Sequence, residues 1–201
     1  MDDAVVDAIK RWPNVPAVFG WLSLTARGQW RLHPDGKARE GGSGEPISNP
    51  QILAFIDRNY TRDEQGRWLF QNGPQRVYVR LDAAPWIVFA DDSHGTLSTH
   101  TGQTIQTVTA IWLDDCGNMY LQTEHGTGML TDRDLPRLAQ SVCTASGQAL
   151  EDWWADKSAA NTTAHCKGTN WAALADSLPL QRLRPDQPID AQLGFVANPA
   201  P

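Results

Sequence analysis

Residues 75–81, QRVYVRL, alternate strictly, with Val77, Val79 and Leu81 on one side and Arg76, Tyr78 and Arg80 on the other. A period of two fits a half-buried β-strand and excludes a helix, in which apolar positions recur every three or four residues. The run before it, RWLFQ at 67–71, is separated from it only by Asn72-Gly73-Pro74; the run after it, PWIVFA at 85–90, is uniformly apolar, as in a strand covered on both faces. Pro74 pushes Gly73 toward extended backbone and favours a loop wider than a two-residue hairpin turn. With Asp63–Gly66 and Asp82–Pro85 as bounding turns, residues 63–92 predict a three-stranded β-core.

The same signals continue on both sides. VFGWLSLTARGQWRL at 18–32 predicts a hairpin about Ala26-Arg27-Gly28, and TVTAIWLDDCGNMYLQTE at 107–124 predicts two strands about Asp114–Gly117. Residues 33–46 are rich in glycine, carry no large apolar side chain and predict a mobile loop. Helices are expected at the start, with Val5, Val6 and Ile9 on one face and an end near Trp12, over 48–60 with Ser48 as N-cap and Gln51 as its partner, and over 131–142 with Thr131 as cap. The order strand, turn, short strand, helix occurs twice, before the helices at 48 and 131, and suggests two ββα-like halves. These elements predict an α+β, β-rich fold of antiparallel, roll-like sheets with two or three helices.

The expected division is a body over 1–145, with sub-domains 1–62 and 63–145 as an option, and a peripheral, loosely ordered segment over 146–201. That segment is small and polar at first, then carries one short helix at 170–178 and a proline-punctuated tail. It would dock through Trp153, Trp154 and Trp171.

Charge narrows the function. Residues 1–90 hold 11 basic and 10 acidic side chains, and residues 91–201 hold 6 and 13, so the net −6 is concentrated in the second half. With no basic run there is no electrostatic footprint for nucleic acid or an anionic membrane. The start, MDDAVVDAIKRWP, lacks the features of a signal peptide, no stretch approaches a membrane span, and Cys116, Cys143 and Cys166 are odd in number; a cytoplasmic location is expected.

Chemical motifs are sparse. His94, His100 and His125, beside Asp91, Asp92 and Glu124, are acid/base candidates, but their spacing fits no metal site, and neither a metal nor a cofactor is expected. Cys116 sits between acidic and glycine neighbours that do not favour a thiolate, and no G-x-S-x-G or P-loop is present. Arg76, Tyr78 and Arg80 share one strand face, where two guanidiniums could grip a carboxylate or phosphate; the plainer role is a solvated face with arginines paired to acids such as Asp82. The nine tryptophans are core anchors or platforms for a ligand or partner.

The order GQWRL, PISNPQILAFI, RDEQGRWLF, VYVRLDAAPWIVFADD resembles conserved-hypothetical bacterial families of unknown function, over about residues 12–142. Their pattern is a Gly-x-Trp strand, a capped helix, an Asp-Glu-x-Gly turn and an Asp-Ala-Pro-aromatic strand pair; an extra alanine interrupts the last here. The resemblance implies a cytosolic proteobacterial protein with an α+β roll of few helices, and supplies no catalytic residues. Together these readings favour a non-enzymatic binding or interaction protein for a small anionic ligand or a protein partner. The alternatives are a hydrolase using the histidines and acids of the 91–125 loops, and a homodimer with tryptophans at its interface.

Overall fold

The hairpin expected about Ala26-Arg27-Gly28 forms in the computed structural model, which describes residues 1–91, 93–166 and 171–201. Strand β1 (Val18–Leu24) pairs antiparallel with β2 (Trp30–Leu32), and β3 (Glu45–Pro46) extends the sheet. Helix α1 (Asp3–Arg11) precedes them, and α2 (Pro50–Arg58) follows. Strands β4 (Tyr60–Arg62), β5 (Trp68–Asn72) and β6 (Gln75–Leu81) complete a six-stranded sheet in the order β3-β2-β1-β6-β5-β4. The fold is α+β and β-rich, but the sheets are mixed: β1 and β6 run parallel.

The second sheet begins with β7 (Trp86–Asp91), β8 (Thr96–Thr99), β9 (Thr104–Ile105), β10 (Val108–Leu113), β11 (Met119–Thr123) and β12 (Gly126–Leu130). After α3 (Leu135–Gln140) come β13 (Val142–Thr144), α4 (Leu150–Ala155), β14 (Thr162–Cys166), β15 (Ser177–Arg182) and α5 (Ile189–Leu193). The order is β13-β14-β15-β10-β11-β12-β7-β8-β9, with β12·β7 and β10·β15 parallel. Parallel pairs join strands with long intervening segments, so no local turn signal encodes them. Both proposed ββα segments do contain an antiparallel pair followed by a helix: β2, β3, α2 and β11, β12, α3.

Contacts divide the chain into one unit of Met1–Pro85 with Gly194–Pro201 and another of Trp86–Leu193, rather than at 145/146. The Asp82–Pro85 turn therefore does not close a three-stranded core. It carries the chain from β6 in one sheet to β7 in the other, and Tyr60 Oη donates to Pro85 O at 3.0 Å to hold its end. Nor is the segment from 146 peripheral: Leu150, Trp153, Trp171, Leu178 and Leu180 are buried in the core formed with Ile111, Leu121 and Val88. Isolated Trp residues in a polar stretch carry too little periodicity to reveal strands. Trp171–Asp176 is not helical, because Leu174 bridges to Val108; Asn170, the start of the expected helix, lies outside the described residues. Helices α4 and α5, of six and five residues, raise the number of α-helices to five among the described residues and are too short for a helical period to show.

Helix ends are shifted by small amounts with clear causes. Asn49, not Ser48, caps α2, its Oδ1 accepting from Gln51 N at 2.9 Å and Ile52 N at 3.3 Å, which leaves Pro50 at the first helical position, where its missing N–H costs nothing. Asp134 sits at the cap position of α3, while Thr131 Oγ1 donates to its carboxylate at 2.8 Å. In the first unit the aromatic core runs Trp30 to Tyr60 to Trp68, with ring centroids 5.0 and 4.8 Å apart. Trp30 Nε1 is satisfied by Asp57 Oδ1 at 2.8 Å.

One glycine governs how the 33–46 loop crosses β1. Gly20 has φ 83°, and a Cβ there would lie 2.1 Å from Gly36 O. Gly20→Ala is expected to cost about 2 kcal/mol or more, through the φ penalty and the backbone clash. The measure is urea-denaturation midpoints followed by tryptophan fluorescence; an unchanged midpoint would contradict this account of the crossing.

Candidate functional site

The alternation in β6 places Arg76, Tyr78 and Arg80 on one face, yet most of that face is covered by the chain itself. Tyr78 is buried: Phe19 stacks on its ring at 4.5 Å, and the Arg67 guanidinium lies 4.6 Å from the ring centroid. Its hydroxyl donates to Asp63 Oδ2 and accepts from Arg67 Nη2, both at 2.9 Å. Burial and the Asp63 carboxylate push the Tyr78 hydroxyl above its usual range. Burial acts to raise Asp63 as well, but the Arg67 and Tyr78 bonds outweigh it and hold that carboxyl low. Arg80 donates to Ala38 O at 2.6 Å and Gly42 O at 3.2 Å and pairs with Asp82 at 2.7 Å. Of the three, Arg76 alone is exposed. The face thus does not offer two free guanidiniums, because Arg80 is committed to the 33–46 loop.

That loop is pinned as well as crossed. His33, read from sequence only as its first residue, is buried, with Nε2 2.9 Å from the Oγ of the fully buried Ser23. Burial, and secondarily Arg80, lower its pKa. Gly44, at φ 62°, packs so closely that a Cβ would lie 2.7 Å from His33 Nε2. No hydrophobic signal marks this loop, since polar bonds hold it, and the expectation of mobility missed them.

The three histidines do not form one cluster: the rings of His100 and His125 flank the Trp86 indole, 5.6 and 6.1 Å from it, while His94 bonds to Asp91 and Ser93. His94 is 74% exposed, and its Nδ1 lies 2.8 Å from Asp91 Oδ2 and 2.9 Å from Ser93 Oγ. Serine and carboxylate meet the same ring nitrogen, whereas a proton relay needs one on each. The bonds of Ser93 and then His94 hold Asp91 below the carboxylate range; Asp92 lies outside the described residues. His100 accepts from Ile87 N at 3.3 Å, and its ring stands 5.6 Å from Trp86. His125 meets Thr104 O at 3.1 Å and lies 3.6 Å from Glu124, whose carboxylate accepts from Gln106 N and Thr107 N. These are bonds of turns and strand ends. Among the described residues, no group of three or more His, Cys, Asp or Glu is placed to hold a metal. The three cysteines are free thiols.

The feature that sequence missed is an apolar cleft of about 700 Å³ within the first unit, between the β1–β3 edge and α2. Trp21, Leu32 and Ile52, exposed at 43%, 41% and 49%, line it above buried Leu22, Ile56 and Phe70. Ile52 lies one turn before Ile56, so the apolar stripe of α2 extends past the part that the sheet covers. A register shift between Val18 and Leu22, around Gly20, accompanies the turn of Trp21 into this wall. Of nine tryptophans, only Trp12 and Trp21 are exposed. The sequence shows Gly20-Trp21 and the apolar stripe of Ile52 and Ile56, but nothing in it brings these two segments together.

The molecule is therefore an α+β protein of two mixed sheets with an apolar cleft in its N-terminal unit. It belongs to the DUF2944 family, whose model, described as "Protein of unknown function (DUF2946)", matches residues 1–200. This agrees with the resemblance to families of unknown function. No curated protein matches the chain. Two crystal structures are similar: a DUF1285 family protein from Silicibacter pomeroyi DSS-3, 17% identical, TM-score 0.46, over 71% of this chain and 86% of that one; and a DUF1285 family protein from Shewanella baltica OS155, 17% identical, TM-score 0.42, over 59% and 89%. Likeness at this level carries no argument about function.

Two outcomes follow from the polar contacts. Arg80→Met is expected to cost about 2 kcal/mol and Arg76→Met less than about 0.5 kcal/mol, since the former breaks bonds to two loop carbonyls and a carboxylate, whereas exposed Arg76 loses only a minor contact with the Tyr78 hydroxyl. Urea midpoints give the costs, and hydrogen exchange at residues 38–44 should quicken only in Arg80→Met. Burial pushes His100 down to about 3. The folded chain then takes up that proton far below the unfolded imidazole, near 6.5, so neutral His100 contributes stability fully above pH 6.5 and loses it as pH falls toward 3. Between pH 7 and 5 the wild type should lose about 1 to 2 kcal/mol more than His100→Asn, read from denaturation midpoints.

Proposed function

We propose that this chain is a non-enzymatic binding protein whose cleft in the N-terminal unit takes a small ligand with an apolar body. The single observation that supports this is the cleft itself. Ligand sites are concave, mostly apolar and of roughly 300–1,000 Å³, with few polar groups to orient the ligand. Here three large apolar side chains stay exposed together over a buried floor, and the polar lining is limited to Glu45, Ser48, Asn49, Asn72 and Gln75. Scattered exposed apolar residues need no explanation; a concave group of them does.

This moves the expected ligand away from an anion at Arg76, Tyr78 and Arg80, because Arg80 and Tyr78 are held by loop and network. The hydrolase reading loses support for a separate reason: Asp91 and Ser93 share one nitrogen of an exposed histidine.

The test is titration of the purified chain with the neutral, environment-sensitive dye Nile red. Saturable binding with one site per chain is expected. Ile52→Glu should weaken it by roughly tenfold, since a carboxylate is desolvated in the cleft while the first turn of α2 tolerates an acid. Equal binding by wild type and variant overturns the reading. So does a chain that runs as a dimer in light scattering and binds dye only when dissociated, which would assign the cleft to a second copy.

A further inference from the structure

Resting on that reading of the cleft, we infer that its ligand carries a cationic head group, recognised by Glu45 in a cleft whose wall also holds the exposed indole of Trp21. Among the described residues, Glu45 is the only charged one lining the cleft. It is exposed, and its carboxylate has no hydrogen bond or ion pair among the described residues. Its position follows from register. Glu45 lies opposite Leu32 across β2 and β3, and Leu32 lies opposite Leu22 across β1 and β2; side chains opposite one another share a sheet face. Both leucines line the cleft, so the carboxylate stands in the same row as its apolar wall.

The remaining polar groups do not favour an anion. Asn49 Oδ1 already accepts from the first free amides of α2, and Pro50 has no N–H to offer. Among the described residues, no lysine, arginine or histidine lines the cleft. An amine or quaternary ammonium meets the opposite conditions: a carboxylate at the rim and an indole, 43% exposed, in the same wall. At a partly solvated contact one such pair is worth about five- to tenfold in affinity.

Glu45 also has a ligand-free explanation. It sits with Pro46 on an edge strand, where a charge and a missing N–H block strand addition by another chain. The two roles separate experimentally. Decyltrimethylammonium, decanol and decanoate, equal in chain length and kept below their micelle-forming concentrations, are used to displace Nile red from the full chain at low salt. The expected order is cation, alcohol, carboxylate, with the cation about five- to tenfold ahead of the alcohol. Glu45→Gln should bring the cation down to the alcohol's level without changing the alcohol, and high salt should narrow the gap in the wild type. A cation advantage that survives in Glu45→Gln overturns the inference. Equal displacement by all three overturns it too while leaving the cleft as a binding site. No displacement by any of them overturns the cleft reading as well.

Discussion

The bonds from Arg80 to Ala38 O and Gly42 O, together with its pairing to Asp82, are the contact on which the N-terminal unit's surface depends. They fasten a glycine-rich loop over a parallel strand pair, and His33 with Ser23 fastens the start of that loop from beneath. The end of the same loop is β3, and β3 with Ile47 forms one wall of the cleft. A buried charged group is costly unless bonded; here the loop carbonyls supply part of that bonding, so the guanidinium and the loop stabilise each other. The pairing cannot easily be replaced by lysine, which lacks the planar fork that spans two carbonyls and a carboxylate.

The cleft is the complement of this arrangement. Most of the large aromatic side chains are spent on cores: Trp30, Tyr60 and Trp68 in one unit, and Trp153 and Trp171 in the other. Apart from Met1 and Trp12 at the N-terminal helix, the large apolar side chains exposed on the first unit, Trp21, Leu32 and Ile52, gather where the sheet is too short to cover α2. Strand β3 has two residues, and the apolar stripe of the helix extends beyond the part they flank. An apolar surface left concave in this way, with one unpaired carboxylate at its rim, favours a ligand with an apolar body and a positive end.

Legibility in the sequence followed the range of the interactions. The β1–β2 hairpin, the alternation of β6, the turn between β10 and β11 and the position of α2 all arise from contacts within a few residues, and each was readable from period and turn residues. The parallel pairs β1·β6, β7·β12 and β10·β15 were not, since each joins segments that no turn connects. The face of β6 illustrates both: its alternation was correct, but solvent was the wrong expectation for its outer side, because Phe19, Arg67 and the 38–42 loop come from elsewhere in the chain. The cleft was illegible for the same reason, its lining being drawn from residues 18–77.

By itself, the sequence determined the class of the molecule: an α+β chain rich in strands, with hydrophobic periods that place most strands and the long helices, and an acidic surface without a basic run. These properties are local or additive, so they need no knowledge of which segments meet. Tertiary structure alone decided that residues 82–85 lead from one sheet to the other, that side chains between Leu150 and Ala164 and between Trp171 and Leu180 complete the second core, and that Trp21, Ile52 and Glu45 share a cleft. Those outcomes depend on long-range pairing, where the burial gained is collective and no single segment carries its signature.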